Sequence, residues 1–159
     1  MAKKATKAAD NVFYKARINA ASCNDSFNSR EGAAEIIGID RTRIARIELG
    51  SLSPYPEEVL LMSDAYNAPE LNHYYCSRMC TIGCQTIPAT NLLQLDRLTI
   101  KILAALGNAG FVQDSIIQIV KDGAVTKEEE PEFETILEAL EKISKAAIAT
   151  KLWVEKNMR

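Results

Sequence analysis

The sequence is poor in the residues that mark several special classes of protein. Its 159 residues include only four cysteines and one histidine, and aromatic residues make up 6%. Four cysteines are too few for a disulfide scaffold, so we expect reduced thiols, metal ligands or core residues. Seven glycines and five prolines exclude a collagen-like or low-complexity chain. The net charge of -2 means that any nucleic-acid binding comes from a local patch.

Long hydrophobic runs, targeting signals and catalytic motifs are also missing. Asn108, Gln113 and Asp114 interrupt the most hydrophobic region, so we expect no segment that spans a bilayer. The first seven residues include three lysines but have no apolar stretch behind them, which is unlike a secretory signal, and we expect a cytoplasmic protein. Phosphate-binding glycine loops and a nucleophile elbow are absent, and the one histidine has no evident catalytic partner. We therefore predict that the protein is not an enzyme.

What is present is a helical pattern. Hydrophobic residues make up 47% and charged residues 25%, which is typical of a globular chain. Apolar residues recur with the helical period almost everywhere, and strand-like alternation is absent, so we predict an all-α fold. The composition predicts a basic flexible arm at 1–9, a five-helix domain at 10–75, a cysteine-containing connector at 76–90 and a helical hairpin at 91–159.

Residues 29–50 carry the strongest local signals. Ser29 can cap one short helix, and Gly38 supplies the left-handed residue that ends it. Asp40 can cap the next helix, Arg41 to Leu49, which ends at Gly50. The apolar residues expected to face inward are Ala33, Ile36, Ile37, Ile44 and Ile47. The pattern predicts two helices joined by a very short turn.

The carboxy-terminal region has a seven-residue repeat. One line of it contains Leu95, Ile102, Ala109 and Ile116, and the complementary line contains Leu98, Ala105, Val112 and Ile119. A continuous repeat favours one long helix over two. A return helix is lined by Phe133, Ile136, Leu140, Ile143, Ala147 and Val154. These helices should pair as an antiparallel hairpin. The apolar residues left over are Ile100, Leu103, Leu106, Leu137 and Ile148, and they predict a further partner, either a second copy or the amino-terminal domain.

The connector holds a candidate metal cluster formed by His73, Cys76, Cys80 and Cys84. Spacings of three and four residues put them on one helical face, as zinc or iron–sulfur ligation requires. On a straight helix, however, Cys76 and Cys84 would lie about 12 Å apart, too far to share one ion. Zinc would require a break near Thr81–Gly83, or ligation by fewer of these residues with Cys23 or a partner chain. Buried thiols and a disulfide are the alternatives, and we predict no obligatory cofactor.

The segment Arg30-Glu-Gly-Ala-Ala-Glu-Ile-Ile-Gly-Ile-Asp-Arg-Thr-Arg-Ile-Ala-Arg-Ile-Glu-Leu-Gly50 resembles the helix-turn-helix of lambda-repressor-like, Xre-type transcription regulators. The flanking helices extend the resemblance over roughly residues 10–75. Tyr-Tyr-Cys-x3-Cys-x-Ile-Gly and the terminal Lys-Ile-Ser…Leu-Trp-Val resemble a bacterial and phage subgroup with a carboxy-terminal helical extension. The sequence departs from the usual pattern at Arg30, where glutamine is common, and at Leu49, where a polar residue is usual.

The resemblance implies a regulator, and more specifically a repressor, that binds double-stranded DNA with helix 40–49 in the major groove. Arg41, Thr42 and Arg46 match the family's base-reading positions. Ser29, Arg30 and Arg43 are better placed for phosphates. In the alternative interpretation, the motif only packs three helices together and its arginines form a solvated face.

The hairpin implies a homodimer, and a dimer would present two recognition helices to two half-sites. The alternative is a protein-interaction module that keeps the helix-turn-helix as a scaffold and binds a partner through the hairpin. Such a module could respond to metal or redox state through the cysteines.

Overall fold

The computed structural model describes residues 8–119 and 126–158, and every regular element in these ranges is a helix. The predicted all-α class is therefore confirmed. The chain divides into two compact units, Met1–Gly83 and Cys84–Arg159. The boundary falls inside the predicted connector. Lys3, Lys4 and Lys7 of the predicted basic arm lie outside the described residues.

The first unit contains five α-helices and a short 3₁₀ turn. The helices are α1 (Val12–Ala20), α2 (Arg30–Ile37), α3 (Arg41–Glu48), α4 (Pro56–Ala65) and α5 (Glu70–Tyr74). The 3₁₀ turn, Asp25–Asn28, packs against both α1 and α2. It comes so close to α2 that a Cβ added at Gly32 would lie 2.2 Å from the Ser26 carbonyl oxygen.

The core of this unit forms where the five helices meet. Fully buried members from different helices are Phe13, Ala33, Ile44, Ile47, Val59, Met62 and Leu71. The prediction that Ile36 faces inward is wrong, because its side chain is 47% exposed. Ala33 and Ile37 lie one turn apart and form the buried face of α2, and Ile36 lies about 100° away from Ile37 round the helix. Ile39, between the two helices of the motif, is buried.

The chain leaves α5 through a single π-helical turn, Tyr75–Met79. Cys80 then adopts an extended conformation, which ends the helix. Gly83 approaches the turn so closely that a Cβ there would lie 2.1 Å from the Cys76 carbonyl oxygen. Only glycine fits at this position without a shift of the backbone.

The second unit is a helical hairpin preceded by one short helix. Its elements are α6 (Gly83–Thr86), which straddles the boundary, α7 (Leu95–Gly107), α8 (Ala109–Ile119) and α9 (Glu130–Asn157). Both α7 and α8 pack along α9. The sequence pattern predicts one helix over this region, but the structure has two, divided at Asn108. Gly107 and Asn108 are weak helix formers. The backbone stays right-handed at Asn108, so the division is local.

One of the two predicted apolar lines forms the hairpin seam. Leu98, Ala105, Val112 and Ile119 are buried, and the last two pack with Ile136 and Ala139 of α9. The complementary line is not buried, since Leu95 is 55% exposed and Ile116 is 37% exposed. A hairpin of two helix layers has only one contact surface, so it covers one line and leaves the other in solvent.

The stretch Leu95–Ile119 also corrects an expectation about membranes. Its 25 residues have a mean hydropathy of 1.2 in the most apolar window, so by length and composition alone it could cross a bilayer. The prediction that no segment has this capacity is wrong. Only 22% of that window is buried within the protein, and one such helix does not by itself identify a membrane protein.

Candidate functional site

The turn between α2 and α3 fixes the position of α3. Gly38 has a φ of 77° and ends α2, as predicted. The Asp40 carboxylate then accepts hydrogen bonds from the backbone N–H groups of Thr42 and Arg43, at 2.9 and 3.1 Å. These bonds satisfy two of the free donors in the first turn of α3 and fix where the helix begins. The predicted cap at Asp40 is confirmed.

The two faces of α3 have opposite character. Ile44 and Ile47 are each 1% exposed and hold the helix against the core. Arg41, Thr42 and Arg46 are exposed. Ile44 and Ile47 are one helical turn apart, so burying them directs the three predicted base-reading residues to solvent.

The two exposed arginines of α3 differ in their surroundings. The Arg41 Nε atom lies 2.7 Å from the Glu31 carboxylate of α2, and both side chains are more than half exposed. An ion pair in this setting is worth about 0–1 kcal/mol, so a competing anion can replace Glu31 at little cost. Arg46 has no ion pair within the described part of the chain, and its guanidinium is open to a ligand.

Arg43, a predicted phosphate contact, is held by α4. Its Nε and Nη2 atoms both donate to the Glu58 carboxylate, the latter over 2.8 Å, and its guanidinium carbon lies 4.4 Å from the centre of the Tyr55 ring. These hydrogen bonds lower the pKa of Glu58 and raise that of Arg43. Glu58 also accepts the Tyr55 N–H, at 2.7 Å, at the start of α4. Arg43 therefore joins α3 to α4, and any phosphate contact would have to share its guanidinium with Glu58.

The other two predicted phosphate contacts lie at the start of α2. The Ser29 hydroxyl oxygen accepts the Gly32 N–H at 2.9 Å, which confirms the predicted cap. Arg30 donates its Nε hydrogen to the Glu48 carboxylate at 2.7 Å, and its side chain is 31% exposed. This bond uses one edge of the guanidinium, and the Nη groups are not part of it.

A buried ion pair that the sequence pattern does not predict lies beneath these residues. The Arg17 guanidinium donates to both Glu48 oxygens, at 2.6 and 3.1 Å, and to the Phe27 carbonyl oxygen at 2.7 Å. Burial alone would lower the pKa of Arg17, but the hydrogen bonds and charge of Glu48 outweigh it and raise that pKa. The available signal was a charged residue on the apolar face of α1, between Phe13 and Ala20.

Glu48 bonds both Arg17 and Arg30, so it connects α1, α2 and α3. Its side chain is 1% exposed and follows Ile47 at the end of α3. The Asn11 amide adds a second link, because it donates to the Ile47 carbonyl oxygen at 3.0 Å. The carboxy-terminal end of α3 is therefore held by hydrogen bonds from Arg17, Arg30 and Asn11.

The structure does not assemble the predicted metal cluster. Among the described residues, no three His, Cys, Asp or Glu side chains converge as a metal ion requires. The reason is the chain path: the π turn and the extended Cys80 end the helix on which the ligands would share a face. The Cys80 sulfur accepts the Gly83 N–H at 3.5 Å instead. None of the four cysteines forms a disulfide, and Cys23 and Cys84 are exposed.

Models of protein families, curated proteins and solved structures were compared with the chain, and none of them matches it.

Proposed function

We propose that the first unit binds double-stranded DNA sequence-specifically, and that the protein is a transcription regulator of the lambda-repressor-like, Xre-type class acting as a repressor. In this proposal α1 to α5 form the DNA-binding domain and α3 enters the major groove. The observation that carries it is the exposed row of Arg41, Thr42 and Arg46 on a helix whose opposite side is locked by Ile44 and Ile47. Helix α3 is fixed at its start by Asp40 and at its end by Glu48.

The chemistry of the exposed row suits base edges. An arginine can donate two hydrogen bonds to guanine, and a threonine offers a hydroxyl and a methyl group. Arg46 carries no competing carboxylate within the described residues, so we assign it the main base contact. Arg41 would exchange its exposed bond with Glu31 for a bond to DNA. Such an exchange costs little because both partners are solvated.

The residues around α3 supply the phosphate contacts. Ser29 and Arg30 lie at the amino-terminal end of α2, where backbone N–H groups also favour an anion. Arg43 contributes through the part of its guanidinium that Glu58 leaves open. These contacts fix the register of α3 and carry no sequence information themselves. Affinity should fall steeply with salt because bound counterions are released.

Selection of preferred duplexes from a random DNA library tests this proposal most fully. We expect one sequence to be enriched. Fluorescence anisotropy with a duplex of that sequence should then distinguish base-contacting residues from phosphate-contacting residues. Arg41→Ala and Arg46→Ala should reduce the preference for that sequence over a scrambled duplex. Arg30→Ala should weaken binding to both duplexes alike. Lys15→Ala is the matched control, because it removes one exposed positive charge from α1. Recovery of no enriched sequence at low salt would contradict the proposal.

A second candidate function is supported by the hairpin. Its exposed leucines and isoleucines favour a protein-interaction module that keeps the first unit as a scaffold. This candidate predicts that substitutions on α3 leave the protein's activity in cells unchanged, whereas substitutions on the hairpin abolish it. The DNA-binding proposal predicts that both sets of substitutions matter.

A further inference from the structure

A cavity lies between α7 and α9 inside the second unit, close to the break at Asn108. Its volume is about 380 Å³. Sites for small ligands are typically about 300–1,000 Å³ in volume and combine an apolar lining with a few polar groups. This cavity has that composition, because apart from Asn108 it is lined by the alanines Ala104, Ala105 and Ala146 and the lysines Lys101, Lys142 and Lys145.

The alanines form the apolar floor of the cavity. Ala105 of α7 and Ala146 of α9 are 5% and 7% exposed, so they lie in the seam where the two helices meet. Longer side chains at these positions would fill the space between the helices. Ala104 is exposed and forms part of the wall. The hairpin therefore keeps an apolar space open at this level of the seam.

The lysines are distributed along this floor. Lys101 precedes Ala105 by four residues and Lys142 precedes Ala146 by four, so each lies about one helical turn from its alanine. The helices run in opposite directions, because α8, which follows α7, packs on the part of α9 that precedes Ala146. Lys101 and Lys142 therefore lie at opposite ends of the floor, and Lys145 lies between them.

Carboxylates of the hairpin do not balance these positive charges. Lys101 is the one charged residue at positions 98–113. Neither it nor Lys142 forms an ion pair with any residue that the structure describes. Lys145 pairs with Glu141 at 3.1 Å, but both side chains are at least 40% exposed, so an anion can displace Glu141 at little cost. Like charges one turn apart destabilise a helix, so helix stability does not explain Lys142 and Lys145.

Charge and size together indicate the chemistry of a ligand. Three ammonium groups around one cavity suit an anion with more than one negative charge, and a phosphate monoester carries about −1.5 to −2 at pH 7. A water molecule occupies about 30 Å³ in the liquid, so the cavity has room for roughly a dozen non-hydrogen atoms. A phosphate group takes up less than half of that space. The remainder lies against alanine methyl groups, which favour an apolar group.

We propose that this cavity binds a small organic phosphate, namely a phosphate monoester of a compact apolar group. The lysines surround the phosphate, and the apolar group lies against Ala105 and Ala146. The side-chain amide of Asn108 can donate a further hydrogen bond to the phosphate. A DNA duplex is too wide to enter a cavity of this size. The proposal goes beyond the proposed DNA-binding function and does not depend on it, because it concerns the second unit alone.

The test is a nuclear magnetic resonance titration of the ¹⁵N-labelled full chain with phenyl phosphate. The backbone amide signals of Ala104, Ala105 and Ala146 should shift and saturate, with a Kd below about 1 mM. Inorganic phosphate should bind at least about tenfold more weakly because it leaves the alanines uncovered, and benzoate should do the same because it carries a single charge. Binding of inorganic phosphate or benzoate as tight as that of phenyl phosphate would overturn the proposal.

Two kinds of variant test the site itself. Lys101→Ala and Lys142→Ala should each raise the Kd for phenyl phosphate about tenfold. Lys151→Ala is the matched control, because it removes an exposed positive charge of α9 outside the cavity and should leave the Kd within about twofold. Ala104→Phe should block the cavity without a change of charge. Its matched control is Ala147→Phe, at an exposed position of α9 that does not line the cavity.

The outcomes separate this site from general attraction of anions and from DNA binding. Equal losses of affinity in Lys101→Ala and Lys151→Ala would mean non-specific attraction and would overturn the proposal. Absence of any shift with millimolar phenyl phosphate would also overturn it, and a shift of the same signals with duplex DNA would then assign the lysines to DNA. Arg46→Ala should bind phenyl phosphate like the wild type, so failure of this proposal and failure of the DNA-binding proposal are distinguishable.

Discussion

The two units of this chain use their surfaces in opposite ways. In the first unit buried side chains from all five helices form one core, and Arg17 and its carboxylate partner Glu48 are buried beside it, although Leu60, Leu61 and Ile82 remain exposed. In the second unit a single apolar line is buried, and a comparable amount of apolar surface remains in solvent. The first unit thus has a completed core and an exposed polar helix, α3. The second has a narrow core and leaves most of its large apolar side chains exposed.

The largest expected change in the free energy of unfolding comes from breaking the buried ion pair of the first unit. Glu48→Ala leaves Arg17 charged, buried and without its carboxylate, which should lower the free energy of unfolding by about 3–5 kcal/mol. Urea denaturation measures this change. The control is Glu31→Ala, which removes the exposed partner of Arg41 and should cost less than about 1 kcal/mol. Equal effects of the two substitutions would mean that burial of Glu48 is unimportant.

Glycine substitutions should have opposite signs in the two units. Gly32→Ala should destabilise the first unit by about 1–3 kcal/mol, because overpacking forces the backbone to shift. The cause is the Ser26 carbonyl oxygen, 2.2 Å from the new Cβ. Gly107→Ala meets nothing within 4 Å and should stabilise the second unit by up to about 1 kcal/mol. Thermal denaturation compares the two, and stabilisation by Gly32→Ala would refute the close approach of the 3₁₀ turn.

The contact between α3 and α4 should make stability depend on pH. Arg43 lowers the pKa of Glu58 from its ordinary value of 4.5, so the ionised carboxylate stabilises the folded state above that pH. This contribution, at most about 1 kcal/mol, is lost as the pH falls through the lowered pKa. Glu58→Gln should remove that part of the acid dependence in urea titrations between pH 3 and 6. An unchanged acid dependence in Glu58→Gln would contradict the assigned pairing.

The smallest expected change in stability is at Arg46. An exposed residue without an ion pair in the described ranges should alter the free energy of unfolding by less than about 0.5 kcal/mol when it becomes alanine. Thermal denaturation of Arg46→Ala checks this expectation, with Lys15→Ala for comparison. A larger loss of stability would mean that Arg46 stabilises the fold, which would argue against a role in binding a ligand.

Signals within a few residues predicted the structure of the motif well. Ser29, Gly38 and Asp40 act through backbone groups two to four residues away, so their roles follow from the sequence. The link between Arg17 and Glu48 spans thirty-one residues and depends on how α1 meets α3. No local pattern gives that geometry. The same holds for Arg43, whose partner Glu58 lies on another helix.

The errors of prediction have a common physical origin. Periodicity identified which residues are apolar along α7 and α8, but it did not identify which apolar line α9 would cover. It also did not predict the break at Asn108, because a seven-residue repeat continues across it. In the cysteine region, helical spacing implied a shared face, and the π turn and Cys80 end that helix before the face is complete.

If α3 reads base edges, the protein must prefer one duplex over another, and the ratio of the two affinities measures that preference. Fluorescence anisotropy would measure binding of the wild type, Arg46→Ala and Lys15→Ala to the selected duplex and to a scrambled duplex of equal length. We expect Arg46→Ala to lower the ratio of the two affinities about tenfold, for a lost base contact of about 1–3 kcal/mol, and Lys15→Ala to preserve the ratio. If Arg46→Ala leaves the wild-type ratio unchanged, or if the wild type binds both duplexes equally, α3 does not read DNA.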